Sequence, residues 1–173
     1  PAMHYRWSYR ESSKLLARQI SEAMGRDLKV PNWMVRLRVE NRQRKFFVEK
    51  DGVSIQTWDQ VEQAYLRLLS FLRDVLKHRP FVFGDRPTLA DIGLMGPLFR
   101  HYAMDPKPGI IMREDWPEVM AWVYRVWNAR ASQINGDLVS GIPDDVARFL
   151  KEIAEPHLEA HNANAEAQAV GEK

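Results

Sequence analysis

The 173-residue chain contains no cysteine. That excludes disulfides, thiolate metal sites, iron–sulfur clusters and a cysteine nucleophile within it, and it fits a reducing compartment such as the cytoplasm. No uninterrupted apolar run approaches the roughly 18 residues that a membrane-crossing helix needs. The opening residues, Pro1-Ala-Met-His-Tyr-Arg-Trp7, lack the apolar centre of a secretion signal. They also lack an initiator Met, so the chain reads as a fragment or a processed product. A large excess of one charge is missing too: the net charge is +2, which argues for no particular class of partner. Alternation of apolar and polar residues, the mark of a half-buried strand, is scarce.

Helical periodicity is present almost throughout. Apolar residues make up 45% of the chain and charged residues 28%, enough for one domain with a substantial core. A first helix is expected from Tyr9 to Met24, with Leu15, Leu16, Ile20 and Ala23 along one side and Gly25 as its stop. A second segment runs from Pro31-Asn32 to Lys50. Val35, Leu37 and Val39 alternate within it, so a short strand competes there, and helix is preferred. Thr57-Trp-Asp-Gln60 reads as a capping box. The residues after it, Val61, Ala64, Tyr65, Leu68, Leu69, Leu72, Val75 and Leu76, give the strongest helical pattern in the chain. Further helices are expected to start at Asp115-Trp-Pro117 and at Pro143-Asp-Asp145. Beyond Pro156 there is little to bury. The expected organisation is one helical domain over 1–158 and a flexible polar tail over 159–173, frayed or disordered from about Ala160.

Residues 84–97, Gly-Asp-Arg-Pro-Thr-Leu-Ala-Asp-Ile-Gly-Leu-Met-Gly-Pro, begin like a ligand loop and carry a lone acid in an apolar run. A phosphate loop would need Gly-Lys-Ser/Thr after a strand, and Pro87 removes a donor where one is wanted. Thr88-Leu-Ala-Asp91 instead fits a capping box: Thr88 as N-cap, and Asp91 as third helical residue accepting from the Thr88 N–H. Asp91 is therefore expected to be structural, and Gly93 and Gly96 to allow close approach of a neighbouring helix.

Phe81-Val-Phe-Gly-Asp-Arg-Pro-Thr-Leu-Ala-Asp-Ile-Gly-Leu94 resembles the capping-box and hydrophobic-staple segment in the C-terminal domain of the glutathione S-transferase superfamily. Trp116-Pro-Glu-Val-x-x-Trp122-x-x-Arg125 resembles the next landmark of that domain, and the preceding Ala64–Leu76 helix also has the character expected there. Together they span roughly residues 57 to 130. The resemblance implies an all-α fold, a glutathione S-transferase C-terminal-like helical bundle. In that family glutathione binds mainly to an N-terminal thioredoxin-like domain, which supplies the thiol-activating residue. No strand-helix-strand opening or cis-Pro motif precedes the helices here, so no residue of this chain is expected to be catalytic.

The cluster His4-Tyr-Arg-Trp-Ser-Tyr9 is dense in binding groups. By resemblance, the start of the helical domain faces the glutathione domain. Tyr5, Trp7 and Tyr9 are then the expected apolar wall for an electrophilic substrate, with Arg6 as polar anchor and Tyr102 as a weaker member. Packing of these aromatics in an interface is the competing reading. Arg36, Arg38, Arg42, Arg44 and Lys45 read as a solvated helix face with interdomain ion pairs, and nucleic acid is not the expected partner. His157 and His161 share a helix face but lack a third ligand, so no metal site is expected. His78 and His101 read as helix-end or surface residues. No Ser-His-acid set is evident from proximity in the sequence.

The function implied is that of the helical, substrate-side domain of a glutathione transferase-like protein. Glutathione is then a co-substrate rather than a cofactor of this chain. The implied partners are a thioredoxin-like domain in the parent protein, a small electrophile and a second copy in a homodimer, with no membrane. The alternative is a non-catalytic interaction module on the same scaffold.

Overall fold

The most apolar-periodic stretch forms the central helix of the core. In the computed structural model, which describes residues 1–26 and 30–171, helix α4 spans Trp58–Leu76 and turns Tyr65, Leu69, Leu72 and Val75 fully inward. Helix α7, Pro117–Trp127, lays Val119, Trp122 and Val123 against it. Fully burying an aliphatic or aromatic side chain contributes roughly 1.5–3 kcal/mol, so these two faces dominate the core.

Six further helices surround that pair. In chain order they are α1 (Ala2–Trp7), α2 (Arg10–Gly25), α3 (Asn32–Arg44), α5 (Leu89–Pro97), α6 (Pro106–Asp115) and α8 (Asp144–Ala169). No strand forms among the described residues, and the fold is all-α. The main core draws on α1, α4, α5, α6, α7 and α8. A smaller one joins Trp7 of α1 to Leu16 and Ala17 of α2 and to Val48. Among the described residues no helix is long and apolar enough to cross a membrane.

Local chemistry explains the irregular helix ends. Helix α3 settles the helix-or-strand ambiguity at Val35–Val39 in favour of helix, then widens into a π turn over Lys45–Glu49. Pro97 cannot donate to the helical ladder, and α5 passes directly into a second π turn, Leu98–Ala103. The long loop after α7 is anchored by Asp85 N–H to the Asp137 carbonyl (2.9 Å) and Val139 N–H to the Phe83 carbonyl (2.8 Å).

Several expectations are corrected. The expected first helix forms as α2, Arg10–Gly25, but a separate short helix that the sequence pattern did not suggest, α1, precedes it. The capping box at Thr57–Gln60 does not form. The Thr57 hydroxyl faces the Gly52 and Ser54 carbonyls at 3.0 and 3.2 Å and accepts from the Ser54 N–H at 2.9 Å, closing the preceding turn. Gly93 and Gly96 do not meet a neighbouring helix, because open space lies where each would carry a Cβ. Helix α8 runs on to Ala169 with its last turns exposed. The side chain of His157 lies outside the described residues, and so does the His157–His161 pair.

Candidate functional site

Helix α1 is too short to persist alone, and its side chains show what holds it. His4, Tyr5 and Trp7 are buried, while Arg6 reaches α6. The Arg6 guanidinium takes Asp105 in a two-pronged pair, Nε to Oδ2 at 2.5 Å and the terminal nitrogen to Oδ1 at 3.1 Å. Asp105 is itself buried at the start of α6, so the guanidinium neutralises a carboxylate that would otherwise lack solvent.

Around His4 a polar network crosses three helices. The imidazole Nε2 lies 3.1 Å from Glu62 Oε1 of α4, and Nδ1 lies 3.0 Å from the Ser8 hydroxyl. The Tyr9 hydroxyl donates to the same Glu62 oxygen. Burial holds the His4 imidazole below its ordinary 6.5 against the opposing pull of Glu62. His4 is thus neutral at about neutral pH, donating from Nε2 to Glu62 and accepting from Ser8, and the contact is a hydrogen bond rather than an ion pair. Burial alone would raise the Glu62 carboxyl. Hydrogen bonds from Tyr9 and His4, with the Lys107 ammonium 3.9 Å away, bring it below its usual value. Burial and the Glu62 carboxylate push the Tyr9 phenol up, so it remains protonated as a donor.

The structure places the expected site residues as follows. Tyr5 is fully buried, stacked 6.1 Å from Tyr9, and its hydroxyl has no partner among the described residues. Trp7 is buried in the smaller core. Tyr102 stacks on Tyr65 at 4.4 Å with its phenol pushed up to about 12 by burial, and it reaches a hollow of about 420 Å³ between α4, α5 and α8. Tyr9 lines a different hollow of about 420 Å³, with Pro106, Ile110 and Ile111 as apolar walls. At its edge the Lys107 ammonium sits 3.5 Å from the centre of the Tyr9 ring. Tyr9 and Tyr102 therefore do not share a hollow. Trp58 packs beside Tyr9 at 5.6 Å and is a natural optical reporter.

Glu62, Trp58 and Lys107 were not expected at this site. Glu62 lies 58 residues from His4, and only the docking of α1 onto α4 joins them. Ser8, His4 and Glu62 do form a hydrogen-bonded chain that sequence proximity did not suggest, although His4 presents its nitrogens within the bundle.

Asp91 is fully buried away from both hollows. It accepts from the N–H groups of Val82 (2.8 Å) and Thr88 (2.9 Å) and from the Trp122 indole (3.3 Å). The Thr88 hydroxyl lies 2.9 Å from it.

The described residues thus form an all-α bundle with a hollow between the start of its second helix and α6. Residues 43–129 match the family described as glutathione S-transferase, C-terminal domain, and the chain belongs to that family. No curated protein and no solved structure matches the chain.

Proposed function

We propose that this chain is the helical, substrate-side domain of a cytoplasmic glutathione transferase-like protein. The hollow beside Tyr9 takes the apolar body of an electrophile. A thioredoxin-like companion domain holds glutathione and activates its thiol, and its thiolate attacks the electrophile that this domain orients. The observation that carries the reading is the hollow itself: aromatic and aliphatic walls from Tyr9, Pro106, Ile110 and Ile111, with the charged groups of Arg10, Glu11 and Lys107 also lining it. Tyr5 supports the wall from behind, Trp7 holds α1 in the smaller core, Arg6 fixes α6 against α1, and Tyr102 belongs to the other hollow. Thr88 and Asp91 serve as the capping box of α5 and take no part in the chemistry. The exposed Leu89 and Ile92 on α5, beside the open Gly93 and Gly96, suit the companion domain, and dimer contacts form in the assembled protein.

The test joins the chain to its companion domain and follows conjugation of glutathione to an aromatic halide. Tyr9→Ala and Ile110→Asn should raise KM for the halide several-fold more than KM for glutathione. The isolated chain should quench Trp58 fluorescence on binding the halide and catalyse no conjugation. Unchanged KM for the halide in both variants would sink the assignment of this hollow. A second reading, a non-catalytic interaction module, is favoured by one observation: the exposed apolar surface of α2 and α3.

A further inference from the structure

The surface formed by α2 and α3 is separate from both hollows. Between the two helices runs an apolar groove of about 550 Å³. Ile20, Met24, Met34 and Val39 form its floor, and Arg38 and Arg42 stand on its rim. Apolar exposure continues past the groove. Trp33 is 59% exposed and Leu37 50%, and Phe46 and Phe47 are exposed in the adjoining π turn. Scattered exposed apolar residues are ordinary, but a groove with an apolar floor marks a binding surface.

Charge on the same surface is one-sided. Arg44 pairs with Glu40 at 3.5 Å, whereas Arg36, Arg38, Arg42 and Lys45 have no carboxylate within ion-pair distance among the described residues. Among those residues no acid lines the groove. The Arg42 guanidinium lies 5.7 Å from the Phe46 ring and 6.0 Å from that of Phe47, so aromatic faces hold it beside the groove.

These features choose among occupants. A second copy docked groove to groove would add another set of bases and no acid from the lining, which like-charge repulsion opposes. Nucleic acid would satisfy the guanidinium groups and leave the apolar floor wet. A membrane surface calls for one apolar face, whereas Met34 faces the groove and Trp33 and Leu37 lie outside it. A helix with an apolar stripe flanked by carboxylates answers both the floor and the rim. We propose that the α2–α3 groove docks an acidic amphipathic helix of a partner protein. This deepens the interaction-module reading and requires nothing of the hollow beside Tyr9.

The probe is a fluorescein-labelled synthetic peptide of about four helical turns, with Leu at i, i+3, i+4 and i+7 and Glu on both flanks. Its binding to the full chain is followed by fluorescence anisotropy and by methyl NMR. Micromolar binding is expected, with shifts confined to methyls such as those of Ile20, Met24 and Met34. The double variant R38E/R42E should weaken it about tenfold or more, and a twin peptide carrying Lys for Glu should bind at least about tenfold more weakly. Both arginines are exposed, and unchanged helicity and thermal midpoint of R38E/R42E verify its fold. Equal binding of the two peptides, an unaltered affinity in R38E/R42E or shifts mapped elsewhere would overturn the proposal. So would R38E/R42E-sensitive binding of phosphatidylserine vesicles or duplex RNA where the peptide does not bind. Self-association abolished by Met34→Lys would assign the face to a second copy instead. None of these readouts involves thiol chemistry, so failure here leaves the conjugation reading standing.

Discussion

Asp91 accepts hydrogen bonds from Val82, Thr88 and Trp122 while fully buried, so its carboxylate joins the turn before α5, the start of α5 and the centre of α7. Asp91→Ala leaves the Val82 N–H and the Trp122 indole without their acceptor in the core. The expected loss is about 3 kcal/mol or more, read by urea denaturation. Normal stability combined with selective loss of ligand binding would reverse this role. Two glycines give opposite expectations. Gly84 adopts φ +134°, and a Cβ there would strike the Asp137 carbonyl, so Gly84→Ala should cost about 2 kcal/mol or more. Gly93 has open space in the interior of α5, and Gly93→Ala should stabilise the chain by about 0.5–1 kcal/mol. The bond from Thr88 to Asp91 was legible because three residues of sequence determine it. The donors Val82 and Trp122, nine and 31 residues away, were not, because folding alone brings them there.

Among the elements, α4 and α7 were legible because a broad apolar face repeats at threes and fours over several turns. Helix α1 was not. Six residues offer too little periodicity, and tertiary contacts stabilise it: His4 on Glu62, Arg6 on Asp105, and Tyr5 in the core. The turn before α4 misled for the opposite reason. Thr57 has the spacing of a cap, but the carbonyls of Gly52 and Ser54 claim its hydroxyl first. The dependence of α1 on α6 can be measured. Arg6→Met strands a buried carboxylate and should destabilise the chain by about 3 kcal/mol, whereas R6M/D105N should recover part of that loss. A double-mutant cycle with no coupling between the two positions would show that the pair does not lock α1 onto α6.

At the scale of the whole molecule, the packing of the aromatic cluster at residues 4–9 was not legible in the sequence. Which of its side chains face the core depends on how α1 meets α4 and α6, and the sequence of the cluster carries no sign of that. The same packing orders the titrating groups. Burial lowers His4, and burial with the Arg6 charge lowers His101, both from 6.5. Hydrogen bonds from Tyr9 and His4 bring Glu62 below its usual 4.5 against the effect of burial, as Arg79 does for Asp145 from 3.8. For each of these groups the unfolded chain binds protons more readily than the folded one. Their stabilisation is therefore present above the unfolded pKa and is lost as pH falls into the folded one. Tyr5, Tyr9, Tyr65 and Tyr102 lie on the other side: burial raises all four from 10.0, so their contribution is full below that value and is lost as pH rises beyond it. The thermal midpoint should accordingly be highest between 6.5 and 10.0, with a descending limb on each side. Across the acid limb below 6.5, His4→Gln should flatten the slope, because an amide keeps a donor toward Glu62 without taking up a proton. A midpoint that climbs as pH falls below 6.5, or an acid limb identical in His4→Gln, would show that the network joining α1, α2 and α4 does not hold His4 neutral.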